Sequence, residues 1–141
     1  MFRTPWRAAS LVALLCAAMV LLATCSGQGS APGSPLYVQQ VTSDPQSYNG
    51  KPITVDGAYL WRPGDPTISV LALGVSTLDN GLDAQPLGDT IWLENFPAEV
   101  TEFLHRPGDA VYGFVRVEGN FSSGGGFGPD GSYQHQLVVT R

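Results

Sequence analysis

The chain of 141 residues is poor in charge, cysteine and histidine. Charged residues make up 13% of it, which excludes a long coiled coil, a fold that needs dense charge and few helix breakers. Two cysteines allow at most one bridge, so a disulfide scaffold is excluded. Seven cations against twelve acids give a formal net charge of −5, which disfavours a nucleic-acid binder driven by general basicity. Two histidines, without His-x-x-x-His or paired Cys/His spacing, leave a zinc centre unsupported. The length excludes a multi-domain enzyme. What is abundant is turn-forming residues: 17 glycines and 11 prolines.

Composition changes along the chain. Met1 to Arg7 carries Arg3 and Arg7 and no acid, and Ala8 to Ala23 carries no charge at all. Cations stay on the cytoplasmic side while an apolar run inserts. A spanning helix needs roughly 20 apolar residues, so this shorter run has the length of a signal-peptide core and predicts an N-terminal signal helix. It ends Leu22-Ala23-Thr24-Cys25. These residues resemble the lipobox of bacterial lipoproteins, which implies acylation of Cys25 and its exposure as the mature N-terminus. Thr24 departs from the Gly or Ala usual before the cysteine, so ordinary signal cleavage and an uncleaved membrane anchor stand as alternatives. Cys16 would leave with the signal, and Cys25 would remain as the one exported thiol, which thioether lipidation uses.

Ser26 to Pro35 is made of small, polar and helix-breaking residues and reads as a flexible tether with a reach of about 15–20 Å. The expected organisation is a signal peptide over 1–24, a lipid-anchored tether over 25–35 and a folded domain over 36–141. Loss of Arg3 and Arg7 would leave five cations against twelve acids, a formal charge of −7. Such a domain is repelled by anionic headgroups and phosphate backbones. The implied location is the extracytoplasmic face of a bacterial membrane, held through the lipid on Cys25.

Alternation of side-chain character predicts five strands in the domain. They cover Pro52–Trp61, Thr67–Val75, Thr90–Glu94, Ala110–Phe121 and Tyr133–Thr140. In the first, Ile53, Val55, Gly57, Tyr59 and Trp61 share one face, as expected of a half-buried strand, with Gly57 at a bulge or a coil of the sheet. Leu36 to Val41 fits a short strand or one helical turn. Pro97 to His105 is the one helical signal in the domain, with Val100, Phe103 and Leu104 on one side. Arg-Pro-Gly-Asp occurs at 62–65 and again at 106–109, and reads as one turn solution used twice, type II at the first.

Three strands, a helix and two strands is the order of an OB-fold, a five-stranded, partly open barrel. The stretch Pro45 to Gly57, with Tyr48, Gly50 and Lys51, resembles the opening of small OB-fold domains on exported bacterial proteins. Tyr112 to Tyr133 resembles their closing hairpin. The resemblance implies an all-β domain and brings no shared catalytic residues. A small β-sandwich is the alternative, although seven strands are expected there.

The Gly-rich segment Ser122 to Ser132 lacks the lysine and the following helix that a phosphate cradle needs, so it reads as a hairpin connection. It would lie beside the usual OB binding face, which makes Phe127 and Tyr133 candidates for stacking on a sugar or peptide. Tyr112, Phe114 and Arg116 share a strand face and complete the candidate ligand-binding set. Tyr59, Trp61 and Trp92 are expected to fill the core. Asp79, Asn80, Asp83 and Asp89 crowd one loop, but their spacing is not that of an EF-hand and turn chemistry explains them. A Ser, His135 and an Asp could be drawn as a triad, yet no nucleophile elbow exists. Neither a metal nor a cofactor is expected. The expected function is non-catalytic binding of an envelope protein or glycan. A small hydrolase using Asp and His groups near the 78–89 loop and an oligonucleotide binder are the alternatives.

Overall fold

The computed structural model describes residues 34–78 and 83–141. The signal segment, Cys25, most of the tether, Asp79 and Asn80 lie outside the described residues. In chain order come β1 (Leu36–Tyr37), α1 (Val38–Ser43), a 3₁₀ turn (Pro45–Ser47), β2 (Pro52–Arg62), β3 (Ile68–Ser76) and β4 (Gln85–Glu94). A 3₁₀ helix (Ala98–Phe103), β5 (Val111–Phe127) and β6 (Tyr133–Val139) follow. The fold is mostly β, a six-stranded mixed sheet with few helical residues.

The sheet order is β1-β2-β3-β4-β6-β5, and β5 pairs back onto β2. The β1–β2 and β4–β6 pairs are parallel and the rest antiparallel. One long strand allows the return. Residues 111–120 of β5 pair with β2, and its residues from Gly119 to Phe127 pair with β6. At the handover the carbonyl of Val138 stands where a Cβ on Gly119 would be, so only glycine lets β5 and β6 approach this closely.

Five strands are expected from the alternation, with a short strand or a helical turn at Leu36–Val41; the described residues form six, and both a short strand and a helical turn stand at that place. β1 is two residues long, too short for any alternation to show, and is held by pairing Leu36 with Val55 and Tyr37 with Asp56. It leads directly into α1, whose Val38 and Val41 are buried. Gly57 makes no bulge, because its register with β5 is unbroken. It is there for space: a Cβ would lie 2.8 Å from both Leu71 Cγ and Val38 Cγ2.

The helix expected over Pro97–His105 is a 3₁₀ helix with no buried residue. Three residues per turn break the i, i+3, i+4 stripe that an α-helix would have made. Phe103 is 88% exposed as a result, and Leu104, beyond the helix, is the residue that packs on the core. The Gly-rich segment is also shorter as a loop than expected. β5 runs through Gly124, Gly125 and Gly126, with φ of 132°, 88° and 83°, and shifts register between Ser123 and Phe127. Nor do the two Arg-Pro-Gly-Asp turns match. Gly108 has a φ of 58°, whereas Gly64 lacks the positive φ that a type II turn requires.

Hydrophobic burial is split between two clusters. The larger holds Val55, Tyr59, Leu71, Ile91, Val117, Phe121 and Leu137, among others, with Val38 and Val41 of α1. The smaller joins Leu60, Val70, Ala84, Trp92 and Ala110. β2 therefore alternates as a half-buried strand only up to Gly57. Beyond it Tyr59 enters one cluster and Leu60 the other, and both are buried.

Candidate functional site

The end of β2, the start of β3 and the end of β4 meet the 3₁₀ helix and the β5–β6 hairpin around a cleft of about 620 Å³. Period-two alternation puts Tyr59 and Trp61 on one face of β2. Tyr59 is buried, and its ring stacks on Phe96 with centroids 3.9 Å apart and planes 16° off parallel. Trp61 is half-buried and lines the cleft. Trp92 adds a second indole, whose Nε1 donates to Glu94 Oε2 at 3.0 Å. Burial pushes the Tyr59 hydroxyl above its ordinary pKa, with a Ser69 hydrogen bond opposing, so it stays a neutral group at the base of the cleft.

Polar groups surround these rings. Glu94 and Asn95 close β4, and Asn95 adopts a φ of 60°, a left-handed conformation that asparagine tolerates better than most residues. Arg106 reaches back to the 3₁₀ helix, donating from Nε to the Thr101 carbonyl at 3.0 Å and from Nη2 to Thr101 Oγ1 at 2.6 Å. Gln136 Nε2 donates to Glu94 Oε2 at 3.3 Å. Among the described residues, Glu94 Oε1, the Asn95 amide and Arg106 Nη1 have no protein hydrogen-bond partner, and all three residues are exposed. Thr67, Ser69 and Pro129 complete the rim. The charged groups of the lining are one acid, Glu94, and one base, Arg106.

None of the five residues chosen from the sequence lines this cleft. Tyr112 is half-buried against the smaller cluster, with its ring edge-on to His105 at 5.0 Å. Phe127 and Tyr133 are register partners and pack on the same cluster, with Tyr133 5.1 Å from Trp92. Desolvation, with Asp130 adding to it, pushes the Tyr133 hydroxyl up. Phe114 is 71% exposed. Arg116 is engaged in a two-point ion pair with Asp56, at 2.7 and 2.8 Å. That hydrogen bonding holds the Asp56 carboxyl below the usual carboxylate range. The alternation of β5 does bring Tyr112, Phe114 and Arg116 to one strand face, where Tyr112 packs on the smaller cluster, Arg116 is held by Asp56 and Phe114 stands exposed. Tyr59 and Trp92 fill the core as expected, and Trp61 is only partly buried against it. Glu94 and Asn95 carry no motif, Arg106 belongs to a repeat that reads only as a turn, and their convergence depends on pairings far apart in sequence.

The described acids of the 78–89 loop and both histidines lie outside this cleft. Asp83 Oδ1 accepts the Leu78 N–H at 2.6 Å, and Asp89 Oδ2 accepts the Thr42 hydroxyl at 2.9 Å. His135 Nδ1 lies 3.1 Å from Ser123 Oγ, and its ring stacks on Phe121. Among the described residues no three His, Cys, Asp or Glu side chains are placed to hold a metal ion. No described helix is long and apolar enough to cross a membrane.

His135 carries a pH signature. Desolvation lowers its pKa below the ordinary 6.5, and the more distant Asp89 charge offsets only part of this. Below that ordinary value the unfolded chain binds a proton that the folded one resists, so stability falls with pH from about 6.5 down through the folded pKa. Denaturant midpoints measured from pH 7.5 to 5 are expected to drop more steeply for the wild type than for His135→Gln. Equal slopes would remove His135 from the account.

No protein-family model, curated protein or solved structure matches the chain.

Proposed function

We propose that the chain is an exported bacterial lipoprotein, anchored through Cys25, whose folded part is a small OB-fold-like barrel. The barrel binds an envelope partner, a protein or a glycan, without catalysing a reaction. The strand pairing supports the barrel: β2, β3, β4, β6 and β5 pair in succession and β5 returns to β2. The 3₁₀ helix between β4 and β5 occupies the position of the OB helix, with five main strands around it. In OB-folds the loops after the first and fourth of these strands flank the ligand. Here those loops contribute Thr67 and Pro129 to the same cleft.

The observation that carries the binding reading is this cleft, walled by aromatic rings and rimmed by polar groups with unused hydrogen-bonding capacity. A hydrolase would need an acid, a base and a nucleophile gathered in one place, whereas the described acids of the 78–89 loop, Asp83 and Asp89, accept hydrogen bonds from the Leu78 N–H and the Thr42 hydroxyl.

Two measurements test the proposal. Radiolabelled palmitate is expected in the wild type and absent from Cys25→Ala, and label persisting in the variant overturns the anchor. The detergent-solubilised full chain is expected to cosediment with isolated bacterial envelopes, and Trp61→Ala to do so at least tenfold more weakly. Equal cosedimentation overturns the cleft as the binding site.

A further inference from the structure

We infer that the cleft takes a neutral pyranose saccharide, a reading that rests on the cleft being the binding site and names what it binds. Three partner classes compete for an aromatic cleft on this fold: nucleic acid, peptide and sugar. Charge, strand pairing and hydrogen-bonding groups separate them.

Nucleic acid needs cations along its backbone, because each phosphate contact is made by neutralising charge. The lining has Arg106 alone, with Glu94 in the same lining and an acidic chain around both. A ligand without net charge suits that balance.

An extended peptide gains affinity by adding a strand to an open sheet edge. The two indoles at the cleft stand on strand positions that do not offer one. Trp61 pairs with Ser69 on one side and Val111 on the other. Trp92 pairs with Val70 and with Gln136. The unused polar capacity lies on side chains instead.

Those side chains match a sugar. A pyranose ring has an apolar C–H face that can lie on an indole and a rim of hydroxyls that both donate and accept. Trp61 supplies a half-buried ring for the face. Glu94 Oε1 accepts, Arg106 Nη1 donates and the Asn95 amide does both, so adjacent hydroxyls can each find a partner of the right kind. Thr67 and Ser69 add hydroxyl oxygens that can accept, their own protons being donated to the Gly64 and Leu93 carbonyls at 3.3 Å. The positive φ of Asn95 sets its side chain at the turn out of β4, between Glu94 and the Phe96 ring that covers Tyr59.

The experiment uses the full chain in a polyoxyethylene detergent, which has no sugar headgroup. Two preparations of bacterial envelope serve as probes: one digested exhaustively with protease so that its polysaccharide remains, and one reduced to its extracted proteins. Tryptophan fluorescence is also titrated with soluble tetrasaccharides built from glucose, galactose, mannose or N-acetylglucosamine. Retention on the protease-digested envelope, competed by at least one tetrasaccharide, is the expected result. Asn95→Gly tests the site without disturbing the backbone, since glycine accepts the positive φ. It is expected to weaken retention about tenfold at an unchanged melting temperature. Binding to the extracted proteins alone overturns the sugar assignment and leaves the partner-binding function standing. Binding to neither preparation overturns both. Wild-type retention by Asn95→Gly overturns the cleft as the saccharide site.

Discussion

Phe121→Ala is expected to cost the domain about 3–5 kcal/mol, the range for removing a fully buried aromatic ring from a core. Phe121 has no exposed surface and belongs to the larger cluster. Its backbone is also committed. Its N–H donates to the Lys51 carbonyl at 3.0 Å, and its own carbonyl accepts the Gly50 N–H at 2.9 Å. Those two bonds tie β5 to the turn before β2, so the surrounding chain has little freedom to collapse into the space the ring leaves. A domain of this size is stable by about 5–15 kcal/mol, and the variant would lose a large share of that. Urea denaturation followed by tryptophan fluorescence measures the loss, and a midpoint shift worth less than about 1 kcal/mol would contradict the packing described. The ring also covers His135, with centroids 5.8 Å apart. Its removal should let water reach the imidazole and bring the depressed pKa back toward the ordinary value.

Gly119→Ala is the second substitution with a large expected effect, and its sign is as informative as its size. Where alanine fits the native backbone, replacing glycine stabilises a protein by about 0.4–1 kcal/mol through the unfolded state. Gly119 has no positive φ to forbid alanine. The obstacle is the neighbouring strand: besides the Val138 carbonyl oxygen, the added carbon would meet Val138 C at 2.9 Å and Leu137 Cγ at 3.0 Å. Backbone paired on both sides cannot move aside as a side-chain tip can. Forcing β5 and β6 apart is expected to cost about 3 kcal/mol, the upper end for overpacking. The damage should concentrate in amides of β6, readable by hydrogen exchange, because Gly119 is where β5 changes partner. A stabilised variant would mean that the two strands do not approach this closely.

Strand positions were largely legible because period-two alternation is a local property. Pro52–Trp61 and Tyr133–Thr140 differ from the observed β2 and β6 by one residue at an end. The limits of that reading have identifiable causes. β4 begins at Gln85, five residues before the expected Thr90, because Gln85–Asp89 show no apolar face and stay largely exposed while pairing with β3. The 97–105 stripe fits an α-helix, yet a 3₁₀ helix formed, and the exposed Val100 and Phe103 record the apolar face left unused. The five aromatic and basic residues picked from β5 and the hairpin are prominent in the sequence. Three of them, Tyr112, Phe127 and Tyr133, pack against the smaller cluster, which no local pattern announces.

The sequence by itself determined the β character of the domain, the places of its five longer strands and an acidic balance that argues against phosphate-backbone ligands. These follow from composition and from alternation between neighbours in the chain. Only the tertiary structure decided which face of each strand is buried, that β5 passes from β2 to β6 at Gly119, and that Trp61, Glu94, Asn95 and Arg106 share one cleft. Side-chain pattern can say that a strand has two faces. What covers each face, and which loops meet at its end, depends on strands tens of residues away.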